Sequence, residues 1–176
     1  MKNEYPPIGA QSEQDRLEIL RLAYEQGLRG LDSQDATLSS IRQSGAAIAA
    51  LNGLTAAFLG RQALEDQRVA FGLRMLSLGI FEWIAVLALV TSVVSVVQLF
   101  RPRDGWIFHF EPSRVIDQFA FGPKATNLAK TYEVLARFAE ENYNSNGPLL
   151  RRLFRWLVLA IIAFCVHVCS WLASLA

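Results

Sequence analysis

Apolar residues gather into three long uncharged blocks, and between the blocks they recur at helical spacing. Trp83–Phe100 runs eighteen residues without a charge, and the block extends toward Met75 past the single Glu82. Trp156–Ala176 runs twenty-one. A bilayer core needs about 20 predominantly apolar residues as helix, so each block predicts a membrane-spanning helix. The third block, Ser44–Gly60, has seventeen uncharged residues but is rich in Ala and Gly and contains Asn52. Its competing reading is the buried core helix of a soluble protein.

In that third block Gly45, Ala49, Gly53 and Ala57 recur every four residues. Small residues at this spacing let another helix backbone approach closely in lipid, and Asn52 beside them needs an interhelical partner. The second block carries its own stripe of small and polar side chains, Ala85, Ala88, Ser92, Ser95 and Gln98. Polar groups in lipid turn toward other helices, so this stripe is expected to meet the small face of Ser44–Gly60 as a packing seam.

Outside the blocks, Leu17, Leu20, Tyr24, Leu28, Leu31, Leu38 and Ile41 are spaced by three, four or seven residues, an apolar helix stripe. Arg21, Glu25 and Arg29 pair at i,i+4 on its exposed side. No Pro separates this stretch from Gly60, so one long helix is expected to lead into the first span, with Gly30 as a weak point. After the second block, Arg101-Pro-Arg-Asp-Gly is a turn. Trp106, Phe108 and Phe110 then alternate with Ile107, His109 and Glu111 in an extended strip. Pro112 and Pro123 are plausible helix starts. Leu128, Tyr132, Leu135, Phe138 and Ala139 form a second amphipathic stripe over 125–143, and Asn144-Ser-Asn-Gly-Pro148 is expected to break or kink the chain before the last span.

The resulting expectation is an all-α integral membrane bundle of three transmembrane helices extended by cytoplasmic amphipathic helices. Its order is a disordered tail (1–11), a cytoplasmic helix (12–43), span 1 (44–60), an external connection (61–75), span 2 (76–100), a cytoplasmic aromatic strip and helix (101–151) and span 3 (152–176). The N-terminus carries no apolar signal core, so no cleavable secretory signal is expected.

Composition agrees with this. The 176 residues are 52% hydrophobic, with a mean hydropathy of +0.25, and seventeen Lys plus Arg nearly balance sixteen Asp plus Glu. No global basic field exists for nucleic-acid binding. Lys and Arg crowd the segment from Arg101 to Arg155 and abut both membrane ends there, which assigns that side to the cytoplasm. The N-terminus is then cytoplasmic and the C-terminus external.

Few residues invite chemistry. Cys165-Val-His167-Val-Cys169 has metal-binding letters, but on a helix His167 points to the face opposite the two cysteines, so three ligands do not converge and the cysteines read as packing residues. His167 itself is an ionisable group inside a span, a functional candidate with an interfacial position as its alternative. Arg42 and Glu82 snorkel to the interfaces. Arg151, Arg152 and Arg155 are candidates for anionic-lipid contact, with a phosphate ligand as the alternative. Phosphate loops, nucleophile elbows and zinc-protease motifs are missing, so no enzyme activity, cofactor or metal is expected.

The lead-in Leu17–Ile41 with Leu31-Asp-Ser-Gln-Asp35 stands before a small-residue span and a Val/Leu span. These are followed by the Trp106-Ile-Phe-His-Phe110 strip, the helix around Tyr132-Glu-Val-Leu-Ala136, and Glu141-Asn-Tyr-Asn144 leading to the last span. In this order the chain resembles the Pycsar effector transmembrane family of bacterial anti-phage defence and, more distantly, SLATT proteins. That resemblance implies membrane disruption by helix assembly after a cytoplasmic signal, in the inner membrane. A separate sensor is missing, so the signal is expected from a partner or from the cytoplasmic helices. The competing expectations are an accessory subunit anchoring a partner through Leu128, Tyr132, Leu135 and Phe138, and an ion or proton channel subunit using His167. A homo-oligomer or membrane complex in the bilayer is the expected assembly.

Overall fold

A computed structural model of the chain describes residues 13–65, 79–102, 105–109, 117 and 127–175, with side chains described throughout except at 59–65 and 175. The expected tail, the connection beyond Glu65, the start of span 2 before Gly79, Phe110, Pro112 and Pro123 lie outside these residues. Three helices make up the described fold: α1 (Glu13–Glu65), α2 (Ile80–Phe100) and α3 (Leu128–Leu175). The described residues hold no strand.

Local chemistry sets the helix ends. The first turn of α1 carries Glu13 and Asp15 against the positive end of the helix dipole, and Arg21 Nε donates to Glu25 one turn on at 2.9 Å. At the start of α2, Glu82 Oε2 accepts the Gly79 backbone N–H at 2.9 Å. The helix closes with the Arg101 N–H on the Val97 carbonyl at 3.0 Å, just before Pro102. Gly105, at φ 96°, occupies a conformation that favours glycine. Asn127 caps α3, its Oδ1 accepting from the Lys130 N–H at 3.0 Å.

As expected, α1 is one uninterrupted helix across the former boundary at 43/44, and it continues past Gly60 to Glu65. Of the break or kink expected at Asn144–Pro148, the break does not occur, because α3 carries Pro148 inside it. The proline costs one backbone hydrogen bond, but Asn142 and Asn146 on the same stretch are buried, and Asn146 Nδ2 donates to the Ile107 carbonyl at 3.0 Å. Tertiary contacts outweigh the local breaker.

The chain divides into two compact units. Unit 1 takes Met1–Ala36 and Gly105–Pro148. Here α1 and α3 run parallel: Tyr24 and Tyr132 meet with ring centroids 5.8 Å apart, Gly27 abuts Ala139, and further along Gln34 Nε2 donates to the Tyr143 carbonyl at 2.9 Å. The Trp106–Phe108 rings stack at 5.4 Å, as alternate residues of an extended strip do.

Unit 2 takes Thr37–Asp104 and Leu149–Ala176. Here α2 runs antiparallel to both of the others. Gly45 lies against Leu99 and Asn52 against Ser92, while Ser92 meets Ala160 and Ala85 meets His167. Among the described residues α2 and α3 are long and apolar enough to cross a membrane. The expected third span, residues 44–60 of α1, is not, because its Ala, Gly, Thr and Asn residues gain too little on transfer to hydrocarbon.

Helices α1 and α2 each bury a seam whose steps alternate three and four residues. On α1 it is Leu17, Leu20, Tyr24, Gly27, Leu31 and Gln34 in unit 1, then Leu38, Ile41, Gly45, Ile48, Asn52 and Thr55 in unit 2, all wholly or partly covered. On α2 it is Ala85, Ala88, Ser92, Ser95 and Leu99. Such a 3.5-residue period is the signature of knobs-into-holes packing with a left-handed supercoil.

Candidate functional site

Unit 2 has inverted polarity. Asn52, Ser92, Ser95, His167 and Ser170 are buried there beside alanines and aliphatic residues such as Ile48 and Leu99, while Leu54, Phe58, Leu87, Val90, Val97, Ile162 and Leu172 are exposed. In water this arrangement would leave large apolar side chains solvated and polar ones desolvated.

One hydrogen-bonded relay joins all three helices of the unit. Asn52 Nδ2 on α1 donates to Ser92 Oγ on α2 at 2.9 Å. Ser92 Oγ in turn donates to the Ala160 carbonyl on α3 at 3.1 Å. Ser92 is fully buried. Two turns along α2 the Ala85 carbonyl lies 2.9 Å from His167 Nδ1. A carbonyl can only accept, so Nδ1 carries the hydrogen. The Asn52 Oδ1 and His167 Nε2 atoms are buried without a partner.

Of the expected packing residues, Gly45, Asn52, Ser92 and Ser95 are buried, but Ala49, Gly53 and Ala57 are exposed, and Gly53 faces open space. The four-residue spacing therefore does not trace the packed face. A repeat of four drifts about 40° per step around a 3.6-residue helix, whereas three/four alternation stays on one face. A Cβ on Gly45 would come within 2.7 Å of Leu99 Cδ1, so the close approach lies there. Gln98 is half-exposed, and Leu99 takes the seam position beside it. Ile48 and Leu99, both buried, were invisible to a search for small or polar faces; continuing the alternation from Leu31-Gln34-Leu38-Ile41 finds Ile48.

No protein-family model matches the chain, and neither does any curated protein or solved structure.

His167 is 1% exposed, so it belongs to the bundle seam. Cys165 and Cys169 are free and exposed on the opposite face of α3, so the three residues do not converge. Among the described residues no group of three or more His, Cys, Asp or Glu is placed to hold a metal.

In unit 1 the residues expected to bind a partner separate. Leu135 is buried and Tyr132 half-buried against Tyr24, whereas Leu128 and Phe138 are exposed. Polar replacement of Leu135 would thus disturb the unit itself. The accessible feature is an open groove of about 760 Å³ between α1 and α3, lined by Arg16, Ala23, Gly27, Gly30, Glu133, Ala136, Arg137 and Tyr143 among others. Arg137 Nη2 is engaged by Glu133 at 3.0 Å. Burial pushes the Tyr24 phenol above its ordinary range, and the neighbouring Tyr132 adds to this.

Proposed function

We propose that the chain is a non-enzymatic, multi-pass protein of the cytoplasmic membrane that acts through helix–helix assembly. In this reading residues 44–60 of α1 form a third span beside α2 and α3, the N-terminus is cytoplasmic and the C-terminus external. The observation that carries it is the Asn52–Ser92–Ala160 relay, buried within a unit that exposes many large Leu, Val, Ile and Phe side chains. Lipid solvates that exterior, and interhelical hydrogen bonds satisfy the interior. The modest apolarity of 44–60 is then tolerable, because Asn52, its most costly residue in hydrocarbon, is bonded to α2.

The biological action that fits best is that of a membrane-disrupting effector, working as a homo-oligomer and resembling the anti-phage effectors named above. Controlled expression in bacteria, followed by entry of a membrane-impermeant dye, tests it. The expected result is dye entry that scales with protein level and is abolished by Gly45→Leu, which drives a side chain into Leu99. Membranes that stay intact at every level of inserted protein would refute it.

A second reading, an accessory subunit that holds a partner, is favoured by the open groove of unit 1. It expects one stable companion to co-purify and to be lost on Ala23→Arg or Leu128→Ser, with helicity unchanged. Purification without a companion from the native host would count against it.

A further inference from the structure

Five arginines of unit 2 gather at one of its ends. Gly45 lies level with Leu99 and Phe100, so Arg42 on α1 is level with the Arg101–Pro102 end of α2. Ser92 pairs with Ala160 and Ala85 with His167, a step of seven on each helix in opposite directions. The same antiparallel register sets Arg101 level with Arg151 on α3. At about 1.5 Å per residue, Arg42, Arg101, Arg151, Arg152 and Arg155 fall in a slab about 8 Å thick. All five are exposed, and none has an ion-pair partner among the described residues. The unit's described acidic side chain, Glu82, stands at the opposite end of α2. From this slab the uncharged part of α3, Trp156 to Ser174, extends about 29 Å at the same rise, close to the thickness of a hydrocarbon core.

We propose that these five arginines, contributed by all three helices, form a collar that binds the headgroups of anionic phospholipids. The collar rests on the membrane reading above and adds the lipid class to it. Charge and depth support the assignment. Guanidinium groups bind phosphate oxygens bidentately, and the slab begins where an uncharged span of membrane length ends. An arginine cluster for a soluble phosphate ligand would line one pocket, whereas these five are exposed, are spread over three helices, and do not line the groove of unit 1.

The test uses the full chain reconstituted in nanodiscs of phosphatidylcholine alone or of phosphatidylcholine with phosphatidylglycerol, with retained lipid read by native mass spectrometry. Phosphatidylglycerol should be retained preferentially. Replacing all five arginines with Gln should reduce that preference about tenfold or more, while five Arg→Lys replacements keep most of it. Arg42→Gln with Arg101→Gln, which leaves α3 untouched, should produce a partial loss and serves if the fivefold variant does not insert. Equal retention of the two lipids by the wild type, or a preference unmoved by the double and fivefold variants, would overturn the collar. So would displacement of the lipid by millimolar inorganic phosphate, which would assign the site to a free anion. Flotation with vesicles separates the two readings: a chain that floats with no vesicle composition defeats the membrane reading, whereas one that floats equally with neutral and anionic vesicles defeats the collar alone.

Discussion

Removing Ser92 should cost more than removing Asn52, although they share one hydrogen bond. Ser92→Ala deletes two bonds, the one accepted from Asn52 and the one donated to Ala160. It also leaves both polar atoms of Asn52 buried and unpaired, since Oδ1 already lacks a partner. Each interhelical bond in a membrane bundle contributes about 0.6 kcal/mol on average, and stranding a buried amide donor costs about 1–3 kcal/mol. The expected loss is therefore about 2–4 kcal/mol. Asn52→Ala deletes one bond but also removes the unpaired Oδ1, and Ser92 keeps its bond to Ala160. The bond loss and a small cavity are offset by the removed orphan, so the net change should lie within about 1 kcal/mol. Stability can be measured by steric trapping or detergent-induced unfolding of the full chain, followed by tryptophan fluorescence, for both single variants and the double. Because the double variant strands nothing, it should be more stable than Ser92→Ala alone, with a coupling of about 1–2 kcal/mol. If Asn52→Ala proves as harmful as Ser92→Ala, or the two losses simply add, the relay does not join the helices as described.

Two glycines on α1 should respond oppositely to alanine. A Cβ on Gly27 would stand 2.7 Å from the Ala139 Cβ, which sits next to the backbone and cannot swing away, so Gly27→Ala should destabilise unit 1 by about 1–3 kcal/mol. Gly53 meets open space, and Gly53→Ala should be neutral or stabilise by up to about 1 kcal/mol through helix propensity, with thermal melting of helicity as the readout for both. His167→Leu should leave stability unchanged or raised, because the lost bond to the Ala85 carbonyl is offset by removal of the unpaired Nε2; a loss above about 2 kcal/mol in the same unfolding assay would contradict this. Tyr24 has its phenol held above the ordinary value of about 10, so its neutral form is favoured in the folded state. That stabilisation is full below the unfolded value and is lost as pH rises through the folded one. Alkaline circular dichroism titration should show unit 1 loosening above about pH 10, less so in Tyr24→Phe.

The helical class, the continuity of α1 and the polar stripe of α2 were legible, because each rests on a pattern within one segment. The buried face of 44–60 was not. Its seam runs through Gly45, Ile48 and Asn52, three residues with no chemical property in common, and only their phase relative to Leu38 and Ile41 marks them. The four-spaced Gly45-Ala49-Gly53-Ala57 set was chemically uniform and therefore more conspicuous, yet it winds off the packed face. Pro148 misled for a related reason. Its local cost is real, but the buried Asn146 beside it ties the helix to the Ile107 carbonyl, a contact made far away in sequence. The groove of unit 1 depends on Gly27 and Gly30 facing α3, a matter of rotation that composition does not carry.

The inverted polarity of unit 2 gives its positions two different degrees of freedom. Leu87, Val90, Val93, Val94 and Val97 are exposed, so exchanging one of them for another large aliphatic residue should disturb the packing within the unit little. Ala85, Ala88, Ser92 and Ser95 have no such latitude, since a larger side chain at any of them must displace another helix. A lineage of such proteins can therefore rewrite most of the letters of α2 while keeping a short, small-lettered code on every third or fourth residue.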